Sequence, residues 1–230
     1  MAYGETGQTK LENIITSRMV AFWHNLRVGK EGKISSILLK FLKSQFDSNS
    51  FQSKWCQKIN NTLNQLGLSY MWNYEGVHMS QLKTYMKEKL MDLFIQNWYA
   101  DIETNSLCGN YKFFKLNFER ERYISLLDTD LKFIFAKFRC GAHNLPIADK
   151  RFNPIDERCM CPLCINAIGD EYHYLLVCPA FDPIRPKYLD EYYCSEPELY
   201  KFFELMNLKS KNKLIKLVKF INIIMYTFRP

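Results

Sequence analysis

The sequence predicts an all-α protein, a helical domain with a small Cys-Cys-His-Cys zinc-binding hairpin–helix module near the C-terminus. Two observations predict it. Apolar residues recur at three- and four-residue steps in every long segment, which is the period of a helix with one buried face, and alternating strand patterns are scarce. Cys161, Cys164, His173 and Cys178 fall within eighteen residues, the kind of spacing that brings thiolates and an imidazole onto one ion.

The elements follow in order. Leu11, Ile14, Ile15, Phe22, Trp23 and Leu26 place one inward face on a first helix, which Gly29 and Gly32 close. Ile34 to Phe46 reads as a second helix with Ile37, Leu38, Phe41 and Leu42 inward. Trp55, Ile59, Leu63 and Leu66 step by four, four and three and end at Gly67. Leu82, Tyr85, Met86, Leu90, Leu93, Phe94 and Trp98 mark a long central helix, and Leu127, Leu131, Ile134 and Phe138 a shorter one ending near Gly141. A small hairpin is expected at 159–168. Beyond it, Leu199 to Leu208 and Leu214 to Phe228 read as two closing helices. The domain reading is a helical region over 1–150, the metal module over 151–195 and basic C-terminal helices over 196–230. The aromatic residues sit at core spacing and read as packing rather than base stacking.

The metal motif has the form C-x2-C-x8-H-x4-C. Three thiolates and one imidazole complete a tetrahedral Zn²⁺ shell and leave no position open for substrate. Pro162 and Gly169 supply turns, and Asp170 or Glu171 stands where a short helix would be capped. Tyr172, Leu175 and Leu176 give that helix an apolar stripe while His173 faces the metal, and Pro179 stops it. His173 and Cys178 would lie about 140° apart on an ideal helix, so the last turn must open. Two other readings stand beside this one. Cys159 with Cys161 could replace the Cys161–Cys164 pair, or the four residues could be unrelated buried side chains.

Composition sets further bounds. With 47% hydrophobic and 15% aromatic residues in 230, the chain can bury a real core, which excludes wholesale disorder. Eight cysteines are too few and too unevenly spaced for a disulfide scaffold. The polar Met1–Lys10 segment does not read as a signal peptide, so the expectation is an intracellular, nuclear setting in which thiols are free for metal. Leu214 to Phe228 is fifteen residues long and carries Lys216 and Lys219, too short and too charged to span a bilayer. The net charge of +7 is uneven: +5 over 1–60, −4 over 61–200 and +6 over 201–230. Basic ends around an acidic middle suggest a polyanion partner, RNA or DNA. The candidate phosphate contacts are Lys150, Arg151 and Arg158 beside the metal loop, and Lys209, Lys211, Lys213, Lys216 and Lys219 on the last helix. His143 could touch nucleic acid, or cap or pack a helix end.

Three stretches carry a resemblance. They are Arg139-Cys140-Gly141-Ala142-His143-Asn144-Leu145-Pro146-Ile147, then Arg151 and Arg158 with Cys161-Pro162-Leu163-Cys164, then Asp170-Glu171-Tyr172-His173-Tyr174-Leu175-Leu176-Val177-Cys178-Pro179. Together they resemble the zinc-binding region that follows the polymerase in non-LTR (LINE-type) retrotransposon reverse transcriptases. Leu66 to Asn73 and Gln96 to Lys112 resemble the thumb-side and linker helices of those polyproteins, so the likeness spans nearly the whole chain and is most specific at 139–179. Cys159 departs from the pattern: two residues separate Arg158 from Cys161 where relatives tend to have one, which leaves the start of the zinc loop open.

The resemblance implies a segment that grips template RNA or target DNA beside a reverse-transcriptase core that does the chemistry. A polymerase needs clustered carboxylates for two cations, and its Tyr/Phe-x-Asp-Asp hairpin occurs nowhere in the chain; Tyr99-Ala100-Asp101 is followed by Ile102. The functional expectation is therefore a non-catalytic, zinc-binding, nucleic-acid-binding C-terminal fragment of a mobile-element reverse transcriptase. The competing expectation is a helical protein-interaction domain with a purely structural zinc. A hydrolase with a catalytic metal would need the open coordination position that four protein ligands deny it.

Overall fold

The computed structural model describes residues 1–29, 32–74, 76–104, 109–150, 159–165 and 167–228, with the backbone alone at 149 and 150. The described residues are mostly helical and form no strand, as the periodicity predicts; the expected hairpin is reduced to one antiparallel bridge, Met160 to Ile168. The helices are α1 (Ala2–Thr6), α2 (Leu11–Val28), α3 (Ile34–Asp47), α4 (Lys54–Gln65), α5 (Met79–Thr104), α6 (Tyr111–Phe114), α7 (Tyr123–Leu126), α8 (Thr129–Arg139), α9 (Ile147–Lys150), α10 (Glu191–Ser195), α11 (Leu199–Met206) and α12 (Lys211–Thr227). None is long and apolar enough to cross a membrane. The chain divides into two compact units, Thr9–Trp98 and Met1–Gln8 with Tyr99–Pro230, with one boundary inside α5. That partition differs from the three successive segments read in the sequence.

Glycine ends two helices in the way the sequence suggests. Past α4, Gly67 takes φ +69° and lets the Leu68 N–H reach back to Leu63 O at 2.7 Å. Past α8, Gly141 takes φ +61° and the Ala142 N–H reaches Lys137 O at 2.8 Å. Both are Schellman closures, which need a residue that tolerates left-handed backbone.

In the Thr9–Trp98 unit, α2, α3 and α4 pack around Val20, Trp23, Leu39, Cys56, Ile59, Leu63, Met71, Leu82 and Met86. Trp23 stacks on Trp72 at 5.7 Å, and the Trp72 indole donates to Asp47 at 2.8 Å. The buried stripe of α2 is Val20, Trp23, His24 and Arg27, which corrects the inward face expected there: Leu11, Ile14, Ile15 and Phe22 are exposed. In α3 the same correction applies, since Leu39 points in while Ile34, Ile37, Leu38 and Phe41 are exposed. Tyr85 and Leu93 of α5 also lie outward. For α2 the physical reason lies in Arg27. Its guanidinium covers the Trp23 ring at 4.5 Å and donates to the carbonyls of Met71 and Tyr74, the latter at 2.7 Å. A buried cation must be paired, and seating it rotates α2 away from its most apolar face.

In the other unit, Arg139 is the centre. Its side chain is fully buried and donates to both carboxylate oxygens of Glu5, at 3.0 and 3.2 Å, and to Met206 O, and it pairs with Glu121 at 3.4 Å. Phe114, Tyr123 and Phe135 present their ring faces to it at 4.7–5.6 Å. Another buried cation of the unit, Lys115, donates to Glu121 and to Glu119 O. α12 packs on α7 and α8 with Leu214, Leu217, Val218, Phe220, Ile221 and Ile224 inward, and α11 packs on α6.

Two predictions follow from these charges. Removing one partner of a buried ion pair strands the other, at about 3–5 kcal/mol. Arg139→Met should therefore destabilise its unit by that order in urea unfolding followed by far-UV circular dichroism. All four tryptophans lie in the Thr9–Trp98 unit, so their fluorescence should report little change. A loss under about 1 kcal/mol would show that Glu5 and Glu121 are satisfied without it. The second concerns His24, whose pKa is lowered from 6.5, first by burial and then by the Arg27 charge. The unfolded chain then binds a proton that the folded unit resists. Stability is complete above pH 6.5 and declines as pH falls below it, until the folded group itself titrates. His24→Gln should flatten that decline in melting curves read by tryptophan fluorescence; an unchanged slope would place its origin elsewhere.

Candidate metal centre

The segment from Cys159 to Asp182 starts with almost no regular structure. Cys161 N–H donates to Ala167 O, and Gly169 N–H to Cys159 O, both at 2.8 Å, closing the knuckle around the Met160–Ile168 bridge. Between them Cys161 to Cys164 turns sharply, and the Ile165 N–H returns to Cys161 O at 2.9 Å. Ile165 takes φ +61°, a costly conformation for a β-branched residue. Asp170 then caps the next turn as expected, its Oδ1 accepting the His173 N–H at 2.7 Å. Gly169 leaves room there, since a Cβ would stand 2.5 Å from the Tyr174 hydroxyl.

The turn that carries the last two ligands opens as the spacing demanded. His173–Val177 is π-helical, and the Cys178 N–H donates to His173 O at 2.7 Å. Widening the helix by one residue per turn brings positions five apart onto the same side. Pro179 begins a 3₁₀ turn immediately afterwards.

Cys161, Cys164, His173 and Cys178 therefore converge, with one donor atom from each lying within 4.8 Å of the other three. Cys161 Sγ and Cys178 Sγ are 3.8 Å apart, and Cys164 Sγ is 3.4 Å from His173 Nε2. A tetrahedral ion bound at about 2.3 Å to sulfur and about 2.05 Å to nitrogen has edges of about 3.8 and 3.6 Å, so the spacing fits a metal. It does not fit a disulfide, whose sulfurs bond at about 2.05 Å, and all seven described cysteines are free. Cys161, His173 and Cys178 are buried and Cys164 half-buried. Cys159 is buried but lies outside the group, so the Cys159–Cys161 alternative is not the arrangement found.

The surroundings act unequally on the donors. Burial raises the Cys161 thiol, but the Tyr174 hydroxyl and the N–H groups of Leu163 and Cys164 outweigh it and lower the pKa overall. Cys178, chiefly through burial, is pushed up to about 12. His173 is lowered by burial and then by Arg185, which keeps a neutral imidazole with a lone pair to give. Its Nδ1 has no hydrogen-bond partner among the described residues. The four residues can hold a metal ion.

Arg185 is the residue the sequence reading missed. It is buried and donates to Leu175 O at 3.0 Å and Cys178 O at 2.8 Å, and it pairs with Asp182. It thus satisfies carbonyls at the end of the π turn. The Asp182-Pro-Ile-Arg185 spacing in the Pro179–Pro186 stretch was its sequence signal. His143 takes the packing role, one of those the sequence left open, with its ring against Phe138 at 5.8 Å. Its ring is fully buried and its Nε2 lies 2.7 Å from Glu171 Oε1, so it neither faces solvent nor caps α8.

Among the candidate phosphate contacts, Lys209, Lys211, Lys213, Lys216 and Lys219 are exposed while Leu214, Leu217, Val218 and Ile221 are buried, as the amphipathic pattern predicts. Lys213 is tied to Asp190 at 2.6 Å. The Lys150 side chain, Arg151 and Arg158 lie outside the described residues. No family model, curated protein or solved structure matches the chain.

Ligand substitution tests the centre. Cys164→Ala and His173→Ala should each abolish stoichiometric metal in elemental analysis, while Cys159→Ala should retain one ion per chain. The reverse pattern would sink the assignment. Chelation should raise hydrogen exchange across 159–182, because metal binding and local folding are coupled, and leave the tryptophan emission of the Thr9–Trp98 unit in place. Loss of both signals together would show that the two units do not unfold separately.

Proposed function

We propose that the chain is a non-catalytic nucleic-acid-binding module stapled by Zn²⁺, the counterpart of the region that follows the polymerase in non-LTR retrotransposon reverse transcriptases. The observation that carries it is the closed Cys₃His donor set lying under a lysine-bearing helix. α12 packs against the π turn, with Phe228 against Tyr174 and Phe220 against Phe181. Three thiolates and an imidazole at tetrahedral spacing suit zinc among the common divalent ions. When bound, the ion supplies folding energy and no Lewis-acid chemistry toward substrate, since no ligand position is left for one.

The polyanion-facing surface in this reading is the outer face of α12, with Lys211, Lys216 and Lys219, and Lys209 just before it; Lys150, Arg151 and Arg158 precede the metal loop in sequence. Lys211, Lys216 and Lys219 are exposed, while the stripe from Leu214 to Ile224 is buried. The partners are RNA or DNA and a reverse-transcriptase core, and the setting is nuclear. Catalysis belongs to that core.

Salt dependence tests the reading. Each phosphate contact contributes about 0.9 to the slope of log affinity against log salt on duplex DNA. Replacing Lys211, Lys216 and Lys219 by Gln should lower the slope by about 2–3 in fluorescence anisotropy, with the melting temperature nearly constant because the residues are solvated. Lys213→Gln should have a smaller effect, its charge being already matched by Asp190. Binding without salt dependence, or none at all, would leave the zinc as a fold staple in a protein-interaction domain.

A further inference from the structure

The Thr9–Trp98 unit holds twelve Lys and Arg against six Asp and Glu, a net +6 out of the chain's +7. The unit that contains the metal centre is thus close to neutral. Within the basic unit, α2 and α5 border a groove of about 530 Å³. Its floor is aliphatic, with Ile14, Leu90 and Met91, and its rim carries Arg18, Lys83 and Lys87. All three cations are exposed, and no carboxylate and no aromatic ring is among the described residues lining it. Asn13 closes the base by donating to Leu90 O at 3.4 Å. Leu11 and Ile15, 67% and 55% exposed, extend the apolar surface along α2.

We infer that this groove docks an acidic amphipathic helix of a partner protein. The occupant follows from the two chemistries present. An apolar floor between two helices takes the apolar face of a third, read as knobs at i, i+3, i+4 and i+7. A rim of cations that have no ion pair among the described residues selects glutamates and aspartates flanking that face and rejects lysines. A single-stranded nucleic acid would satisfy the rim but not the floor, because base recognition of that kind uses aromatic platforms. A second copy of the chain is disfavoured by bringing two +6 units together. Lys83 and Lys87, one turn apart on α5, face one flank of the docked helix, and Arg18 on α2 faces the other. The docking site is separate from the metal centre, and the inference does not rest on nucleic-acid binding by α12.

The test uses the full chain with its metal and three fluorescent probes. These are a synthetic helix of about 16 residues with leucines in the i, i+3, i+4, i+7 pattern and glutamate flanks, its lysine-flanked counterpart, and oligouridine of about 20 nucleotides. The glutamate peptide should bind with a dissociation constant on the order of 10 μM, at least about tenfold tighter than the lysine peptide. Arg18→Glu with Lys87→Glu should weaken it by about tenfold or more, and Ile14→Asn should weaken it without altering the charge of the groove. Lys89→Glu, exposed on α5 but outside the groove, should leave it unchanged. These residues are on the surface, so unaltered melting curves would certify the fold. Equal binding of the two peptides, or equal loss on Lys89→Glu, would overturn the inference. So would oligouridine binding that is lost with Arg18→Glu and Lys87→Glu while the glutamate peptide fails to bind.

Discussion

The unit that carries the metal centre depends on one buried guanidinium. Arg139 has no exposed side-chain surface, and a cation so placed must find compensation from neighbours or fail to fold. Its partners come from far apart in sequence: Glu5 in α1, Glu121 before α7, the Met206 carbonyl at the end of α11, and three aromatic faces. The N-terminal helix is held by the same demand. Its cap, Gly7, takes φ +64° with a virtual Cβ 2.6 Å from Arg120 N, and Glu121 N–H donates to Glu5 O at 2.9 Å. Satisfying Arg139 thus fixes where α1, α7 and α11 meet α8.

From that hub a second polar pair leads to the metal. Phe138, next to Arg139, packs on the His143 ring at 5.8 Å. His143 accepts the Leu145 N–H on Nδ1 at 3.4 Å, so Nε2 carries the proton and donates to Glu171. Asn110 donates to the other Glu171 oxygen at 3.2 Å. Glu171 opens the turn whose third residue is the ligand His173. The imidazole is a bracket between α8 and the metal segment, the packing role that the sequence offered beside a nucleic-acid contact. Arg139, Gly141, His143 and Leu145, which stand together in the stretch resembling retrotransposon proteins, all have packing or capping roles here. That stretch reads as a folding signature rather than a ligand-contact signature.

The helices and the donor set were legible because each follows from local chemistry. Stripe period placed α3, α4, α8, α11 and α12 within a few residues of their observed bounds, and Gly67 and Gly141 closed two of them. The opened turn between His173 and Cys178 was legible too, since only a widened helix brings positions five apart onto one ion. What failed was orientation. Apolar period says that a helix has a face, but in α2 the face that turns inward carries Arg27, which reaches the Met71 and Tyr74 carbonyls. Arg185 escaped notice for the same reason. Asp182 three residues before it marks an ion pair, but the carbonyls of Leu175 and Cys178 that hold the guanidinium are backbone groups, which no residue type names.

The metal segment also shows why a closed site belongs at this place. A hairpin with a single bridge is marginal in water. An isoleucine at positive φ and a π turn each add local cost of the kind that persists only when surroundings over-determine it. Phe181, Phe220, Tyr174 and Phe228 supply an aromatic wall on one side, but the knuckle itself, with Leu163 and Ile165 turned to solvent, has little apolar surface to bury. Four donors from both ends of the segment can hold such a loop where hydrophobic packing cannot. The distances between them, 3.8 and 3.4 Å across the two measured edges, are those of a shell already shaped for its ion. The strained backbone and the donor geometry therefore have one explanation: an ion held by these four donors would do for this segment what Arg139 does for the helices around it.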